Sequence, residues 1–592
     1  MVKAWLVYPP FAVYEQPPLG TSLLVAYARH QGEDVAQIDL NIEAFDSLLS
    51  KGPISRMHED LSALSMRPGL SSEEYGRYLY LELLSEAVAE TIDATKRDIR
   101  DPLTLGDAYW STKHALEVAC MLLSQWASLE RKCRDLTDLG DIVSLVRSAS
   151  DDRVCTLIRR RVEDTIAPSD PGIVGISIAY PSQLAYGLYL AKIVKETTSA
   201  NVVIGGPSIS GIVSDGLVPK AFGGLVDYIV AGDGFSPLVE FLRGRVPEEA
   251  LSRDHFGSGR RVRPAANSNP NCLPLPDFTD LPLEKYLTPE TILPLYPSRG
   301  CYWGKCAFCS VHELNPVFLE RDADQVAQDM IALNKRFGAH HFYMSCDVLS
   351  PRSMLSLAKT LSEKAPGLKW QSEARFEKAL TVDSIRQLAD GGCDLLRFGL
   401  ESGSESVLRD MRKGTDLETV RTILGACKEN NIRTAVYCIV GFPTESEKDL
   451  GRTVEFLKDM RSAIDYVGFH QFILNSGSEV SLRPSDFGVE PVGSLNQVTS
   501  EKNYRATRGM SPSVLKGVFE RVKNEIGELI CTEIPVGPAP VVTCISQVET
   551  CGRKGATARH LMKRPIPELD VSIGDVLCVD GLTGDITVER KQ

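Results

Sequence analysis

Short apolar runs alternate with helical patterns near the start of the chain, and the alternation resumes after residue 165. Patterns typical of buried strands cover Ala4–Tyr8, Asp34–Leu40, Gly172–Ile178, Asn201–Ile204 and Asp227–Val230. Between most of them, apolar residues recur at the spacing of amphipathic helices. Because strands that alternate with helices form parallel sheets, the pattern predicts an α/β domain with a doubly wound, Rossmann-like parallel sheet.

Residues 54–165 interrupt this alternation and have a different character. Apolar residues recur there at helical spacing, charged residues are frequent, and β-branched runs are few. The pattern predicts a helical insertion, and a structural cap is its simplest role.

A second series of strand patterns follows a segment rich in Pro, Asn, Ser and Arg, residues 246–290, which we interpret as a linker. Helical patterns separate the six strands of this series. Six βα repeats over residues 291–480 predict a (β/α)6-type partial TIM barrel. The predicted strands are Thr291–Leu295, His341–Met344, Leu368–Ser372, Leu395–Gly399, Thr434–Val440 and Tyr466–Leu474. Residues 481–592 are left as a small C-terminal domain of unknown role, with a β-hairpin expected around Asp580-Gly581.

Charge and composition exclude several classes of function. The 592 residues carry 65 Lys and Arg against 78 Asp and Glu, a net charge of −13, which argues against a nucleic-acid partner. No apolar run approaches the length of a membrane span, so we expect no membrane partner. The first residues lack the pattern of a signal peptide, so we expect a reducing cytoplasm and no disulfide framework among the 15 cysteines.

Three cysteines within nine residues stand apart from the scattered others. Cys301, Cys306 and Cys309 follow the first strand of the second series, and three thiolates on one loop can ligate three irons of a cubane cluster. Zinc is the alternative, because His312 offers a fourth ligand for a tetrahedral site. Unliganded thiols are the least expected reading at this density.

Glycine clusters end two strands of the first series. Gly205-Gly206-Pro207 and Gly232-Asp233-Gly234 come where ligands of doubly wound sheets bind, beyond the carboxyl ends of the strands. Glycine lets the backbone approach a ligand closely, although ordinary tight turns explain these clusters equally well.

The segment Ser298 to Cys309, which ends in the cysteine loop Gly300 to Cys309, resembles the cluster loop of radical S-adenosylmethionine (SAM) enzymes. That family usually has Cys-x3-Cys-x2-Cys with an aromatic residue before the last cysteine, and Phe308 matches the aromatic. Four residues rather than three separate Cys301 and Cys306 here. The resemblance implies that Cys301, Cys306 and Cys309 ligate a [4Fe–4S] cluster whose open iron binds SAM.

Segments at the ends of later barrel strands strengthen this resemblance. They are Ser345-Cys346-Asp347, Glu373 with Arg375, Arg397 to Ser404, and Tyr437 to Glu445. The family uses the segments that correspond to the first, third and fourth of these to contact SAM. A charged pair such as Glu373 and Arg375 at the carboxyl end of a barrel strand is more often functional than structural. The resemblance therefore implies that the cluster and SAM are bound with help from Phe308, Ser345, Asp347, Glu373, Arg375, Glu401, Ser402, Ile439 and Gly441.

The first α/β domain, residues 1–53 and 166–245, carries five short motifs: Tyr8-Pro9-Pro10, Pro17-Pro18-Leu19-Gly20, Val174-Gly175-Ile176-Ser177, Val203-Ile204-Gly205-Gly206-Pro207 and Ala231-Gly232-Asp233-Gly234. With these motifs, the domain resembles the cobalamin-binding domain of B12-dependent (class B methyltransferase-like) radical SAM enzymes. No Asp-x-His-x-x-Gly motif for histidine ligation of cobalt occurs. A nicotinamide-binding domain is the alternative, but no Gly-x-Gly-x-x-Gly follows the first strand. The residues that the resemblance assigns to cobalamin are Pro10, Leu19, Gly20, Ser177, Gly205, Gly206, Pro207, Gly232 and Gly234.

The family's chemistry implies a reaction. Reductive cleavage of SAM gives a 5′-deoxyadenosyl radical, which abstracts hydrogen from an unactivated carbon, and methylcobalamin then supplies a methyl group. We therefore expect C-methylation of a small-molecule or peptide intermediate, with an external electron donor such as flavodoxin or ferredoxin. Rearrangement, cyclisation or oxidation without methyl transfer, and a noncatalytic corrinoid- or zinc-binding module, stay open. Arg375, Tyr437 and His470 are candidate catalytic residues near the strand ends.

Overall fold

Two β-sheets, one parallel and one with a single antiparallel edge strand, carry the fold of the chain, and the predicted α/β class is confirmed. A computed structural model provides the coordinates. It describes the chain except for residues 1–2, 102–111, 114, 117, 121, 124–126, 135, 150–151, 215–217, 219, 260–268, 528–530, 533–575, 580–585 and 590–592. The C-terminal domain is predicted over residues 481–592, and most of its residues after 532 lie outside the described residues.

The first sheet has six strands. They are β1 (Ala4–Tyr8), β2 (Val35–Asp39), β3 (Ile173–Ser177), β4 (Asn201–Gly205), β5 (Tyr228–Val230) and β6 (Ala250–Ser252), in the spatial order β2-β1-β3-β4-β5-β6. The first five pair in parallel, as their Val- and Ile-rich buried runs predict. β6 pairs antiparallel with β5 and lies in the segment predicted as a linker, because three residues are too few to show a periodicity.

The order of these strands reverses at β1. The chain moves from β1 to β2 on one side, and after the insertion it returns to β3 on the other side of β1. In doubly wound sheets a crevice opens beyond the strand ends at this point, and ligands bind there. Tyr8 and Ser177 are the last residues of β1 and β3 and therefore border the crevice.

Helices fill the described parts of the insertion between β2 and β3. Asp39 begins the first of them, since its side chain accepts hydrogen bonds from the backbone N–H groups of Asn41 and Ile42. Lys113 of the insertion forms a buried ion pair of 3.0 Å with Glu15, on the loop after β1. The helices from β2 onward are Leu40–Leu48, Lys51–Ser65, Ser72–Arg100, Ser128–Arg134, Leu139–Ser148 and Arg153–Arg161.

The second sheet has seven parallel strands and stays open. They are β7 (Ile292–Leu295), β10 (His341–Met344), β11 (Lys369–Ala374), β12 (Cys393–Glu401), β13 (Arg433–Val440), β14 (Tyr466–Gln471) and β18 (Cys531–Thr532), in that spatial order. Between β7 and β10, the short strands β8 (Ser298–Arg299) and β9 (Leu319–Glu320) pair with each other. The six predicted strands all form, and β18 adds a seventh from beyond residue 480.

Side chains of the second sheet alternate between its two faces. Leu396, Phe398, Val436 and Cys438 belong to a hydrophobic core shared with the surrounding helices. Since successive strand residues point to opposite faces, the residues between them point inward. The inward positions near the strand ends include Tyr343, Glu373, Arg397, Tyr437 and His470.

The remaining elements connect or extend the two sheets. β15 (Leu474–Asn475), β16 (Val489–Leu495) and β17 (Glu501–Ala506) form a small sheet, and β19 (Val576–Val579) pairs antiparallel with β20 (Ile586–Glu589). The turn expected at Asp580-Gly581 lies outside the described residues. No helix of the described residues combines the length and the apolar character needed to cross a membrane. The other helices are Leu19–His30, Leu184–Thr197, Pro207–Ser214, Phe235–Leu242, Val311–Leu314, Ala323–Phe337, Pro351–Lys364, Val382–Asp390, Glu405–Asp410, Leu417–Glu429, Glu447–Met460, Glu479–Leu482 and Pro512–Gly527.

Candidate active site

A cavity of about 640 Å³ is lined by the strand ends of both sheets. Its size falls within the range of roughly 300–1,000 Å³ that is typical of ligand pockets. Tyr8 and Ser177 line it from the first sheet, and Tyr296, Tyr343 and Asp347 line it from the second. The cavity therefore lies where the order of the first sheet reverses, and it reaches the second sheet.

Many residues predicted to bind cofactors meet in this cavity. Pro10 does not line it and lies buried beside Phe11. Phe308, Glu373, Arg375, Glu401, Ser402, Ile439 and Gly441 also lie outside its lining, nearer the cysteine loop and the interior of the second sheet. The predicted residues that line it are Leu19, Gly20, Ser177, Gly205, Gly206, Pro207, Gly232, Gly234, Ser345 and Asp347.

Gly206 shows why the wall of the cavity needs glycine. Its φ of +106° lies in the left-handed region, and a Cβ atom there would come within 2.5 Å of the carbonyl oxygen of Ile178. A larger residue would push the loop after β4 away from the end of β3.

The cysteine loop begins directly after β8 and is anchored at several points. Gly300 and Gly304 have φ values of +76° and +59°, and Gly304 falls within the longer gap between the first two cysteines. Ala307 donates a backbone hydrogen bond to the carbonyl of Met411 and accepts one from Val480. Phe308 packs against the hydrophobic cluster that contains Phe442.

Cations surround Cys306. A guanidinium nitrogen of Arg375 lies 3.9 Å from the Cys306 sulfur, and a second one donates to the carbonyl of Lys413. The same guanidinium lies 4.6 Å from the ring centroid of Trp303, and the Lys305 ammonium lies 4.9 Å from it. Trp303, in the longer first gap of the loop, therefore lies close to two cations.

Burial and neighbouring charges shift the pKa values of Cys306 and Cys309, and the three thiols fit an anionic metal cluster. Burial raises the pKa of Cys306, whereas the charges of Lys413 and Arg375 lower it and Cys301 raises it. Burial also raises the pKa of Cys309 to about 11, against a hydrogen bond from the N–H of Val311. Metal binding deprotonates such thiols, and the nearby cations then offset their negative charge.

The thiols are not arranged around a single ion. Among the described residues, no three His, Cys, Asp or Glu side chains form a group that could hold one metal ion. A cubane cluster needs a different arrangement, in which each thiolate binds its own iron.

Glu401 and Lys413 form a buried ion pair beside the cysteine loop. The Lys413 ammonium donates to Glu401 Oε1 at 2.6 Å, and the two side chains are 8% and 10% exposed. The backbone of Glu401 has a φ of +67°, in the left-handed region. Ser402 is fully buried, close to Thr453, and accepts a hydrogen bond from the N–H of Ser404.

Glu373 and Arg397 give the interior of the second sheet a charge pair, in which Arg397 is buried and Glu373 is half-buried. Their closest atoms are 3.9 Å apart, and the Tyr343 hydroxyl donates to Glu373 Oε1 at 3.4 Å. Burial raises the pKa of Glu373 to about 7, although Arg397 and Tyr343 lower it. Because Tyr343 also lines the cavity, this pair lies next to the space that a ligand would fill.

The buried carboxyl group of Glu445 stabilises the chain turn that follows β13. Glu445 Oε2 accepts a hydrogen bond of 2.6 Å from the N–H of Gly441, whose φ is +84°. Ile439, two residues earlier, contacts the cluster around Phe442. Burial raises the pKa of Glu445 to about 8, against the hydrogen bond from Gly441.

The three candidate catalytic residues do not lie together. The rings of Tyr437 and His470 are 6.0 Å apart on neighbouring strands, and burial lowers the pKa of His470 while Glu401 raises it. Arg375 instead contacts Cys306 and Trp303, on the cluster side.

Sequence reasoning missed Arg299 and Asp233, which join the two halves of the site. Arg299, two residues before Cys301, forms an ion pair with Asp233 of the second glycine cluster. Both residues line the cavity. The position of Arg299 next to the cysteine loop was a signal, but its partner lies 66 residues away and no local pattern identifies it.

Residues 295–457 match the Radical SAM superfamily. An uncharacterized methyltransferase of Pyrococcus horikoshii is 24% identical over 348 residues, which cover 56% of this chain and 74% of that protein. Bacteriochlorophyllide d C-12(1)-methyltransferase of Chlorobaculum tepidum is 27% identical over 234 residues, 37% of this chain and 49% of that one. The chain thus spans only about half the length of the second relative.

Two solved structures share much of the fold. The cobalamin-dependent SAM radical enzyme OxsB, with aqua-cobalamin and SAM bound, matches 89% of this chain and 67% of its own with a TM-score of 0.57. The radical SAM methyltransferase TsrM of Kitasatospora setae, with cobalamin and a [4Fe–4S] cluster, matches 90% and 93% with a TM-score of 0.53. Both are 14% identical to this chain, so they show the fold alone. The chain therefore carries a radical SAM domain, set in the fold of the cobalamin-dependent radical SAM enzymes.

Proposed function

We propose that this protein is a cobalamin-dependent radical SAM enzyme that methylates an unactivated carbon of a biosynthetic intermediate. The cavity is the observation that carries the proposal. It is lined by the glycine-rich strand ends of the first sheet and by the strand ends of the second, and its wall continues into the cysteine loop through Arg299. Such a space would bring a cofactor held by the first sheet close to the cysteine loop.

The chain's own residues bind and orient these groups. Cys301, Cys306 and Cys309 would hold the cluster, with Arg375 and Lys413 offsetting its negative charge. The glycine loops after β4 and β5 would hold cobalamin. When bound, these groups and SAM would supply a one-electron reductant, a carbon radical and a methyl group, chemistry that side chains lack.

A polar part of the substrate would meet charged groups inside the second sheet. Glu373 and Arg397 are positioned by Tyr343, which lines the cavity. Tyr437 and His470 lie further along the same face. These residues would orient a small-molecule or peptide substrate, and a flavodoxin or ferredoxin would deliver the electron from outside.

Product analysis of the anaerobic enzyme tests the proposal. The full chain, with its cluster rebuilt, would be mixed with hydroxocobalamin, SAM and a strong reductant. S-adenosylhomocysteine, methylcobalamin and 5′-deoxyadenosine would then be quantified by mass spectrometry. We expect all three products from the native chain and none from Cys306→Ala. Cys272→Ser, which removes an exposed cysteine outside the loop, should behave as the native chain.

The remaining outcomes would favour other functions. 5′-Deoxyadenosine alone would favour a radical reaction without methyl transfer. None of the three products, with iron verified in the protein, would overturn the proposal in favour of a zinc or corrinoid module without this catalysis.

A further inference from the structure

We propose that Asp233 positions the cysteine loop through Arg299, so that a corrinoid in the cavity makes that loop more rigid. The inference rests on the proposed function, because it takes a corrinoid as the occupant of the cavity. It assigns to Asp233 and Arg299 a positioning role, since neither belongs to the predicted cofactor ligands.

The Asp233–Arg299 pair links the two sheets at the wall of the cavity. Asp233 lies between Gly232 and Gly234, just after β5, and its side chain is 8% exposed. Arg299 is the last residue of β8, and its side chain is 17% exposed. All four residues line the cavity, so a ligand that fills it contacts the surroundings of this pair.

The link continues from Arg299 to the first cysteine. Asp347, which follows β10, accepts a hydrogen bond of 3.1 Å from the N–H of Gly300. The charge of Arg299 lowers the pKa of Asp347, which burial raises. Arg299 thus pairs with Asp233 and interacts electrostatically with Asp347, and the hydrogen-bonded Gly300 immediately precedes Cys301.

The expected direction of the effect follows from the dielectric constant of whatever fills the cavity. While water fills the cavity, it screens the attraction between Asp233 and Arg299. A corrinoid would displace that water, and the same two charges would then attract each other more strongly. The pair would hold β8 and the start of the cysteine loop more tightly, and the loop would open less often.

Hydrogen exchange of the loop tests this coupling without measuring catalysis. The cluster-loaded full chain would be compared by mass spectrometry with and without hydroxocobalamin, for peptides that cover residues 298–310. In the native chain we expect exchange to slow about fivefold, the lower end of ordinary coupling between sites. Hydroxocobalamin binding would be titrated separately by its absorbance.

Three variants separate the possible explanations. Asp233→Asn should bind hydroxocobalamin but lose the slowing, and Asp233→Glu should recover part of it. Asp280→Asn is the matched control. Asp280 also forms an ion pair, with Arg29 at 2.8 Å, but it does not line the cavity. It should respond as the native chain does.

The failures are distinguishable. If the native chain does not bind hydroxocobalamin, the proposed function fails and takes this inference with it. If the native chain binds hydroxocobalamin without any slowing, or if Asp233→Asn slows as much as the native chain, the inference alone is overturned. Arg299→Gln provides a second route to the same comparison if Asp233→Asn does not fold.

Discussion

Arg375 places a guanidinium nitrogen 3.9 Å from the sulfur of Cys306, while the face of the same guanidinium rests on Trp303. A positive charge at this distance stabilises the more negative, reduced state of a cluster bound to that sulfur. The ring of Trp303, 4.6 Å from the guanidinium carbon, adds a cation–π contact to the same cation.

Arg375→Gln should therefore make the cluster harder to reduce. Loss of one charge near the ligand should lower the midpoint potential on the order of 50 mV, corresponding to about 1 kcal/mol. A redox titration followed by the spectrum of the reduced cluster measures the shift. Arg375→Lys keeps the charge and should stay closer to the native value. An unchanged potential in Arg375→Gln would show that Arg375 does not act on the cluster.

Lys413→Met should destabilise the chain, because it leaves the Glu401 carboxylate buried without its cation. Breaking a buried pair from one side costs about 3–5 kcal/mol. Chemical denaturation, followed by circular dichroism, gives the change in the free energy of unfolding. The control is Arg409→Met, since Arg409 and Glu405 form a pair of 4.0 Å with both side chains largely exposed. That variant should change stability by less than about 1 kcal/mol.

Glu445 should make stability depend on pH. Its folded pKa of about 8 exceeds that of a free carboxyl, so the folded state binds the proton more tightly. Stability is then highest below the unfolded pKa and falls as pH rises towards about 8.

Glu445→Gln cannot lose a proton and should escape that fall. Between about pH 5 and about pH 8.5, its stability relative to the native chain should rise on the order of 1–3 kcal/mol. Thermal unfolding at several pH values measures the trend. The exposed Glu405→Gln should run parallel to the native chain, and a parallel course for Glu445→Gln would refute the assignment.

Gly206→Ala should weaken binding of a corrinoid. The added Cβ would lie 2.5 Å from the carbonyl oxygen of Ile178, so the loop after β4 must shift at the cavity wall. We expect the dissociation constant of hydroxocobalamin to rise about tenfold or more, which is about 1.4 kcal/mol or more of binding free energy. Gly244→Ala also places a Cβ atom at a positive φ, +74°, but that atom meets nothing within 4 Å, so this variant should bind normally. Equal affinities in all three proteins would contradict this role of Gly206.

The sequence predicted the parts of the fold that depend on local pattern. Five strands of the first sheet and six of the second form where apolar runs indicate them. β6 and β18 escaped prediction, because strands of three and two residues have no periodicity and form by pairing with β5 and β14.

The candidate site, too, was predicted only where its residues form a local pattern. The cysteine spacing and the glycine clusters are local signals, and they locate the loop and much of the cavity wall. The partners of charged residues are not local signals. Lys413 could be matched to Glu401, and Asp233 to Arg299, only once the fold had brought them together.

The short strand β18 has a consequence for how the protein can be divided. Cys531 and Thr532 pair with Tyr466 and Val467 and so cover the start of the outer edge of β14. A fragment cut at residue 480 would expose that edge, whose unpaired N–H and C=O groups invite pairing with another chain. The radical SAM barrel of this protein should therefore aggregate when expressed alone, and a soluble fragment should extend at least through Thr532.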